Sequence, residues 1–142
     1  MKPTVPESLR KFYEDVAAHR EAALSELETH FTNDIHFRDP FRETRGIEAF
    51  RKLFDRMFCQ YRHVAFSNFV VRGDDESFVL TYEMHLRMIL GPTFTTHMMS
   101  WGRARDGRIY ELTDAFDFTS ALVSPVPLVG TLYRRFVNAL FL

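Results

Sequence analysis

The chain has 142 residues, of which 46% are hydrophobic and 26% charged, and its formal net charge is -1. This length fits one domain with a hydrophobic core, and the near-neutral charge does not suggest a nucleic-acid-binding surface, so we expect no nucleic-acid partner. The single cysteine, Cys59, excludes an internal disulfide bond and fits a reducing compartment, so we expect a cytoplasmic protein. We recognise neither a signal peptide nor a membrane-spanning run. The 15 phenylalanines are unusual, and they suit either a thick core or a core with an aromatic-lined cavity.

The N-terminal part has helical spacing that is interrupted once. Thr4 can cap a helix, and Glu7, three residues later, completes the signature of a capping box. Apolar residues then recur at helical spacing over residues 9–16 and again over residues 23–31. The two series fall out of step near residues 19–20, which predicts a bend or short break there, with a single longer helix as the alternative.

A short alternating run, Ile35–Phe41, follows the helices and contains one carboxylate. Ile35, Phe37 and Asp39 have the same parity and would share one face of an extended strand, which Pro40 ends. Asp39 either accepts backbone N–H bonds at the wet end of the strand or points into an apolar pocket. If it is buried, desolvation would raise its pKa, as a base that works near neutrality requires.

Beyond this run the apolar pattern changes from helical to alternating. A helical stripe covers residues 47–60, and its period then changes to two. The predicted strands are 62–72, with a possible bulge near Ser67-Asn68, then 77–90, 93–105 and 108–118. Turn signals at Gly73-Asp74-Asp75, Gly91-Pro92 and Asp106-Gly107 separate them. The order helix, helix, strand, helix and antiparallel meander predicts an α+β fold with the helices on one face of the sheet.

The C-terminal residues 126–142 form an apolar helical stripe after a segment that is rich in proline. We interpret the chain as one domain, 1–142, to which this amphipathic helix is appended. Such a helix must dock on the sheet, over a cavity mouth or on a second subunit, and we expect a homodimer. Arg134 and Arg135 on the rim of the stripe leave peripheral membrane contact as a further alternative, which we do not favour.

The order of elements and several local motifs resemble the NTF2-like superfamily, especially its SnoaL-like and ketosteroid-isomerase-like branches. The matching segments are Phe31–Phe41, Gly46–Phe50, Asp106–Ile109 and Thr113–Asp117. The resemblance covers roughly residues 8–120. It implies a cone in which a curved antiparallel sheet wraps around a long helix, with an apolar pocket at the mouth.

The resemblance also implies candidate chemistry, although the superfamily hosts isomerases, polyketide cyclases, epoxide hydrolases, dehydratases and transport adaptors, so its fold does not settle function. In the ketosteroid-isomerase branch the Asp before Pro is the general base, and Asp39 matches that position. Tyr13 lies in the region of the Tyr that hydrogen-bonds the developing oxyanion there. The second oxyanion group of that branch is an Asp, whose place here falls at Met99 or Ser100. The Asp-Arg-Asp relay of the epoxide hydrolases would lack a partner for Asp114, because residues 93–105 contain no Asp.

Asp114 is the second candidate acid, because it shares parity with the apolar residues Leu112 and Phe116. Two acids in one pocket would push their pKa values apart, whereas an ion pair to Arg38 or Arg103 is the structural alternative. Tyr13 is either plain core or the partner of one of these acids. We therefore predict Asp39, Tyr13 and Asp114 as catalytic residues. The residues predicted to line the pocket are Phe12, Phe37, Leu80, Tyr82, Met84, Met98, Ser100, Leu112 and Phe116.

His85 and His97 are the one arrangement that suggests a metal. They would be cross-strand neighbours if the turn at Gly91-Pro92 paired residues whose numbers sum to 182, but a third ligand is missing. We expect no metal and no cofactor. The sequence favours a pocket for a small apolar or polycyclic ligand and, if the protein is an enzyme, isomerase-, cyclase- or hydratase-type acid/base chemistry. The alternative is a non-catalytic ligand-binding or protein-interaction module.

Overall fold

The structure is a computed structural model that describes residues 1–91, 93–117, 126 and 128–141. The predicted strand end at residue 118, Pro92 of the predicted turn and most of the segment before the C-terminal helix lie outside these residues. In chain order the elements are α1 (Val5–Ala18), α2 (Arg20–Ser25), α3 (Leu27–His30), β1 (Phe31–Arg38), β2 (Glu43–Arg45), α4 (Ile47–Phe58), β3 (Tyr61–Gly73), β4 (Ser77–Met88), β5 (Thr93–Arg105), β6 (Arg108–Phe116) and α5 (Val129–Phe141).

The first helix begins with the capping box that the sequence predicts. The Glu7 N–H donates to Thr4 Oγ1 over 3.4 Å, and the Thr4 N–H donates to Glu7 Oε2 over 2.8 Å. Helix α1 ends at Ala18 and α2 begins at Arg20, so the predicted break near residues 19–20 is confirmed. The second apolar series is not one helix, however, because Glu26 leaves the helical conformation between α2 and α3.

The strands form one six-stranded sheet in the order β2-β1-β6-β5-β4-β3. All neighbours are antiparallel except β1 and β6, which run parallel. The fold is the predicted α+β class, a curved sheet that does not close on itself, with the helices against one side. Two details of the sheet differ from the sequence prediction. Strand β1 begins at Phe31, immediately after α3, and the short edge strand β2 was not foreseen.

The register of the central strands decides where the side chains point. The pairing of β3 with β4 shifts between Ser67 and Val70, where Asn68 has φ of 56°, so the predicted bulge is confirmed. The last pair of β4 and β5 is Arg87 with Thr93, and paired residue numbers sum to 180 rather than 182. The pairing of these strands is therefore centred on residue 90 rather than on residue 91.

The core lies between the helices and the concave side of the sheet. Phe12 of α1, Phe50 and Phe54 of α4, and Phe31 and Phe37 of β1 are all fully buried. Their rings contact one another in tilted and edge-on pairs with centroids 4.6–5.8 Å apart, which is the favourable range for aromatic pairs. These phenylalanines form a thick core, and two of them, Phe37 and Phe54, also line a cavity.

The C-terminal helix α5 presents apolar residues to solvent. Leu132, Phe136 and Leu140 each expose about 60% of their surface. In the part of the chain that the structure describes, no helix is long and apolar enough to cross a membrane.

Candidate functional site

A cavity of about 290 Å³ opens between α1, α4 and the concave side of the sheet. Its floor, which we define as Tyr13, Tyr82 and Asp114, is buried. Its rim, which we define as Phe41, Arg42, Gln60 and Tyr61, is exposed or half-buried. The remaining lining residues are Phe37, Asp39, Phe54, Met57, Phe58, Phe66, Met84, Leu86, Met88, Phe94, Thr96, Met98 and Phe116. The walls are therefore aromatic or sulfur-containing almost throughout, with polar groups at the two ends.

Ser100 lies directly behind the floor and connects its polar groups. The Ser100 hydroxyl is fully buried and donates to Asp114 Oδ1 over 2.6 Å. The hydroxyls of Tyr13 and Tyr82 each lie 3.0 Å from the same Ser100 oxygen. A serine hydroxyl has one proton and two lone pairs, so with its proton on Asp114 it can accept from both tyrosines. The four groups then form one network in which every hydroxyl has a hydrogen-bond partner and the donors are directed towards the carboxylate.

The sheet register places this network. Strand β5 alternates buried and exposed residues over its whole length, which puts Ser100 on the concave side. Ser100 is paired across the strands with Leu80 of β4 and Asp114 of β6, so the carboxyl group and the serine are nearest neighbours. Tyr13 reaches them from α1, whose buried face points at the sheet.

Burial changes the acidity of the floor. The pKa of Asp114 is raised to about 7, mainly by desolvation; hydrogen bonds from Ser100 and Tyr13 act to lower it, and the charge of Asp39 acts to raise it. Desolvation and the Asp114 charge also raise the pKa of Tyr13 and of Tyr82 well above the ordinary value for a phenol. At neutral pH both tyrosines are hydrogen-bond donors, and Asp114 is close to half-protonated.

Asp39 lines the same cavity, but its carboxylate is engaged by its own turn. Its side chain is only 4% exposed. Oδ1 accepts the N–H groups of Phe41 and Arg42, both over 2.8 Å, and Oδ2 accepts Arg42 Nε over 3.2 Å. Both readings of this residue thus apply together, because Asp39 closes the turn after Pro40 and also borders the pocket.

The predicted site residues separate into two groups. Tyr13, Asp39 and Asp114 border the cavity together with Phe37, Tyr82, Met84, Met98 and Phe116. The others, Phe12, Leu80, Ser100 and Leu112, are fully buried residues that do not border it, and of these only Ser100 bonds to the floor. The pairing of Asp114 with Arg38 or Arg103 is wrong, because both arginines bond to Glu111 instead.

Sequence reasoning missed the rim and one wall. Met57 and Phe58 lie at the end of α4, Gln60 and Tyr61 follow them, and Arg42 lies in the turn after Pro40. The helical stripe marked Met57 and Phe58 as buried, but only the structure shows that they border the cavity, with the Met57 sulfur 3.8 Å from Arg42 Nη2 of the β1–β2 turn. Arg42 and Gln60 carry no periodic signal that could have identified them.

The histidine pair does not form a ligand set. With the observed register, His85 pairs with Thr95 and bonds to its hydroxyl over 2.8 Å, while His97 lies opposite Glu83 at 3.7 Å. The predicted neighbour relation of the two rings is therefore wrong by two residues. Within residues 1–91, 93–117, 126 and 128–141, no three side chains of the His, Cys, Asp or Glu type are grouped to hold a metal ion.

The sequence was compared with models of known protein families. The model of the SnoaL-like domain family matches residues 9–112, which include Tyr13, Asp39 and Ser100 and end just before Asp114. A comparison with curated proteins found no match.

Solved structures share the fold at low sequence identity. One neighbour is an NTF2-like protein of unknown function from an Exiguobacterium species, with 23% identity, a TM-score of 0.64, and coverage of 77% of this chain and 98% of that one. Another, from Catenulispora acidiphila, has a ketosteroid isomerase-like fold and was solved in complex with trimethylamine. Its identity is 17%, its TM-score 0.72, and the coverage is 89% and 96%. An LEH-like epoxide hydrolase from Mycobacterium tuberculosis has 18% identity, a TM-score of 0.59, and coverage of 80% and 83%.

Proposed function

The chain belongs to the SnoaL-like family, and from that premise we propose that it transfers protons, without a cofactor, on a small apolar molecule held in the aromatic cavity. One observation supports this proposal above all others. Asp114 is a buried carboxyl group at the floor of an apolar cavity, hydrogen-bonded to Ser100 in a network with two tyrosines. A purely structural core would place an apolar residue there, because burying a carboxyl group is costly.

Asp114 is the proton-transfer group in this proposal. A group with a pKa near the working pH can take a proton from carbon and return it at another position, which is what an isomerase or a cyclase needs. Ser100 holds the carboxylate in place through its hydrogen bond, and the hydroxyls of the two tyrosines in turn hold Ser100. Isomerisation, cyclisation and hydration are the reaction classes that such a group can serve.

Asp39 has a different role from the one that the ketosteroid-isomerase resemblance implies. Three N–H groups already bond to its carboxylate, so it is less available as a base than Asp114. We assign it two effects: it holds the turn that carries Arg42, and its negative charge raises the pKa of Asp114.

The volume of the cavity also limits the size of the ligand. A volume of about 290 Å³ lies at the lower end of the range for small-molecule sites. It suits one or two rings with a short substituent better than a larger fused system. The neighbour that is named as an epoxide hydrolase and the one in complex with trimethylamine are consistent with small ligands in this fold.

The acid/base proposal is tested by following Asp114 and proton exchange in the same samples. The ¹³C NMR titration of the side-chain carboxyl groups should give a midpoint near 7 for Asp114. The protein should also accelerate deuterium incorporation beside the carbonyl of 2-tetralone, a two-ring ketone. Asp114→Asn should reduce that acceleration by roughly 100-fold or more, the range for loss of a general base, and Asp39→Asn should reduce it less. A midpoint near 4 for Asp114 would reject the proposal.

The alternative is a non-catalytic ligand-binding protein of the same family. The engaged carboxylate of Asp39 favours it, because the position that serves as base in the ketosteroid-isomerase branch is here used to hold a turn. Binding of small aromatic ketones with no exchange in any of them, although Asp114 titrates near 7, would decide for this alternative.

We further propose that the protein is a cytoplasmic homodimer. The single exposed cysteine fits a reducing compartment. The exposed apolar face of α5 and the net charge of -1, which gives little self-repulsion, both favour association of two copies.

A further inference from the structure

We propose that the rim of the cavity is a second polar subsite, in which Arg42 with Tyr61 and Gln60 binds a neutral carbonyl oxygen of the ligand. The inference rests on the proposed function in one respect, since it takes the cavity to be the ligand site. It adds the chemical class and the orientation of the ligand: an apolar one- or two-ring molecule whose carbonyl oxygen is bound at the rim while the carbon that exchanges its proton faces Asp114.

The guanidinium group of Arg42 is held by one edge only. Its Nε donates to Asp39 Oδ2 over 3.2 Å, and its Nη2 lies 3.8 Å from the sulfur of Met57. A thioether is a weak acceptor, so Nη2 has no strong partner in this position. Among the described residues no oxygen accepts from Nη1 or Nη2. Two N–H-bearing nitrogens at the border of an apolar cavity are therefore available to a ligand oxygen.

Asp39 makes this arrangement a rigid one. Its carboxylate bonds to both the backbone N–H and the side chain of Arg42. The side chain of Arg42 is 38% exposed, and without this anchor it would point into water. Fixing a long side chain before the ligand arrives removes part of the entropic cost of binding.

Tyr61 and Gln60 bring further donors to the same rim. Both border the same cavity as Arg42. Burial raises the pKa of the Tyr61 phenol, whereas the nearby Arg42 lowers it, so the hydroxyl keeps its proton at neutral pH. Among the described residues this hydroxyl has no hydrogen-bond partner. A guanidinium group, a phenol and a side-chain amide together offer more donors than acceptors, which is the composition that a carbonyl oxygen requires.

The charges in the cavity favour a neutral carbonyl over a carboxylate. Among the lining residues that the structure describes, Arg42 is the only cation, and Asp39 already pairs with it. Asp114 adds a second acid at the floor. An anionic ligand would therefore meet two carboxyl groups and one arginine whose charge is compensated, whereas a ketone or ester accepts the same hydrogen bonds without that repulsion.

The experiment compares two probes that differ by one acceptor atom. In 2-acetylnaphthalene the ring carries a carbonyl oxygen, and in 2-isopropenylnaphthalene a CH₂ group replaces it at nearly the same size. Dissociation constants are measured by NMR titration for the wild type, Arg42→Met and Arg45→Met. Arg45 is the matched control, because it lies in the neighbouring strand β2, is highly exposed and does not border the cavity. The anion 2-naphthoate is titrated in parallel.

We expect the wild type and Arg45→Met to bind the ketone about tenfold more tightly than the hydrocarbon, the factor for a charge-assisted hydrogen bond of roughly 1.4 kcal/mol. Arg42→Met should lose most of this preference, because only the neutral donors of Tyr61 and Gln60 remain. Equal binding of the two probes by the wild type, or an unchanged preference in Arg42→Met, would overturn the subsite while leaving Asp114 as the proton-transfer group. Tighter binding of 2-naphthoate than of the ketone would overturn the inference that the rim prefers a neutral carbonyl to a carboxylate. If none of the three probes binds, the subsite and the proposed function fail together.

Discussion

The fold moves the pKa of Asp114 into the neutral pH range, and this has a consequence for stability. Its pKa rises from 3.8 to about 7 on folding. Between these two values the folded chain holds a proton that the unfolded chain has lost. Stability therefore decreases as the pH rises in this window, and the contribution of the protonated group is fully present below pH 3.8 and lost as the pH passes 7.

We predict that the free energy of unfolding falls by about 2–3 kcal/mol between pH 5 and pH 8 as a result of Asp114 alone. Asp114→Asn cannot ionise but can still accept from Ser100, so this fall should be absent from its stability curve. Burial lowers the pKa of His30, which stabilises the fold as the pH rises, but this effect is the same in both proteins. Urea unfolding at four pH values measures the difference.

Asp34→Asn is the control for this prediction. Asp34 is exposed, bonds to Arg105 and has a lowered pKa, so it titrates below the measured range. Its variant should keep the slope of the wild type. Parallel curves for the wild type and Asp114→Asn would contradict the burial of a titrating carboxyl group.

The two acids show how far sequence alone leads at this scale. Parity predicts that Asp39 and Asp114 face the same side as apolar neighbours, and both border the cavity. The difference between them depends on partners that parity does not contain. Asp39 is followed by a turn whose N–H groups fold back onto its carboxylate, whereas Asp114 lies within β6 and accepts a hydrogen bond from the Ser100 hydroxyl.

At the scale of elements, the core was easier to predict than the rim. Alternation and helical stripes reflect burial on one face, so they locate β3 to β6 and α4 within a few residues. The β4–β5 register was wrong by two, because it depends on the residue at which the pairing is centred rather than on the pattern of either strand. The rim combines a turn with a helix end, and its residues share no period.

Gly102 of β5 shows how a residue without a side chain determines the packing of two strands. It pairs with Phe78 of β4, and a Cβ atom on Gly102 would overlap the Phe78 ring. Phe78 is almost completely buried, so its ring cannot move into solvent. Glycine here provides the space into which the aromatic ring packs.

We predict that Gly102→Ala lowers the free energy of unfolding by about 1–3 kcal/mol, the usual cost of overpacking a core. Phe78→Leu removes the part of the ring that meets the new methyl group. The double variant should therefore lose less stability than the sum of the two single variants, by thermal or urea unfolding. Additive losses would show that the ring and the glycine do not compete for the same space.

At the scale of the whole molecule, helix α5 carries more exposed large apolar side chains than any other described element. Helix α5 exposes Leu132, Phe136 and Leu140 along one side, whereas Asn138 lies on the side that also carries Arg134 and Arg135. Exposed large apolar residues along one helix face mark a contact surface more often than a solvated one. With a net charge of -1 the chain has little repulsion to oppose the association of two copies.

We predict that the protein is a dimer in which this face of α5 is covered, and that Phe136→Glu produces a monomer. A charge at this position would have to be buried without a partner in the dimer, which disfavours association strongly. Asn138→Glu introduces the same charge into the same helix on its polar side, and it should leave the dimer intact. Sedimentation equilibrium of the three proteins at several concentrations gives their masses. A wild type that stays monomeric at high concentration, or a Phe136→Glu variant that remains dimeric, would show that the face of α5 is not where two copies of the chain meet.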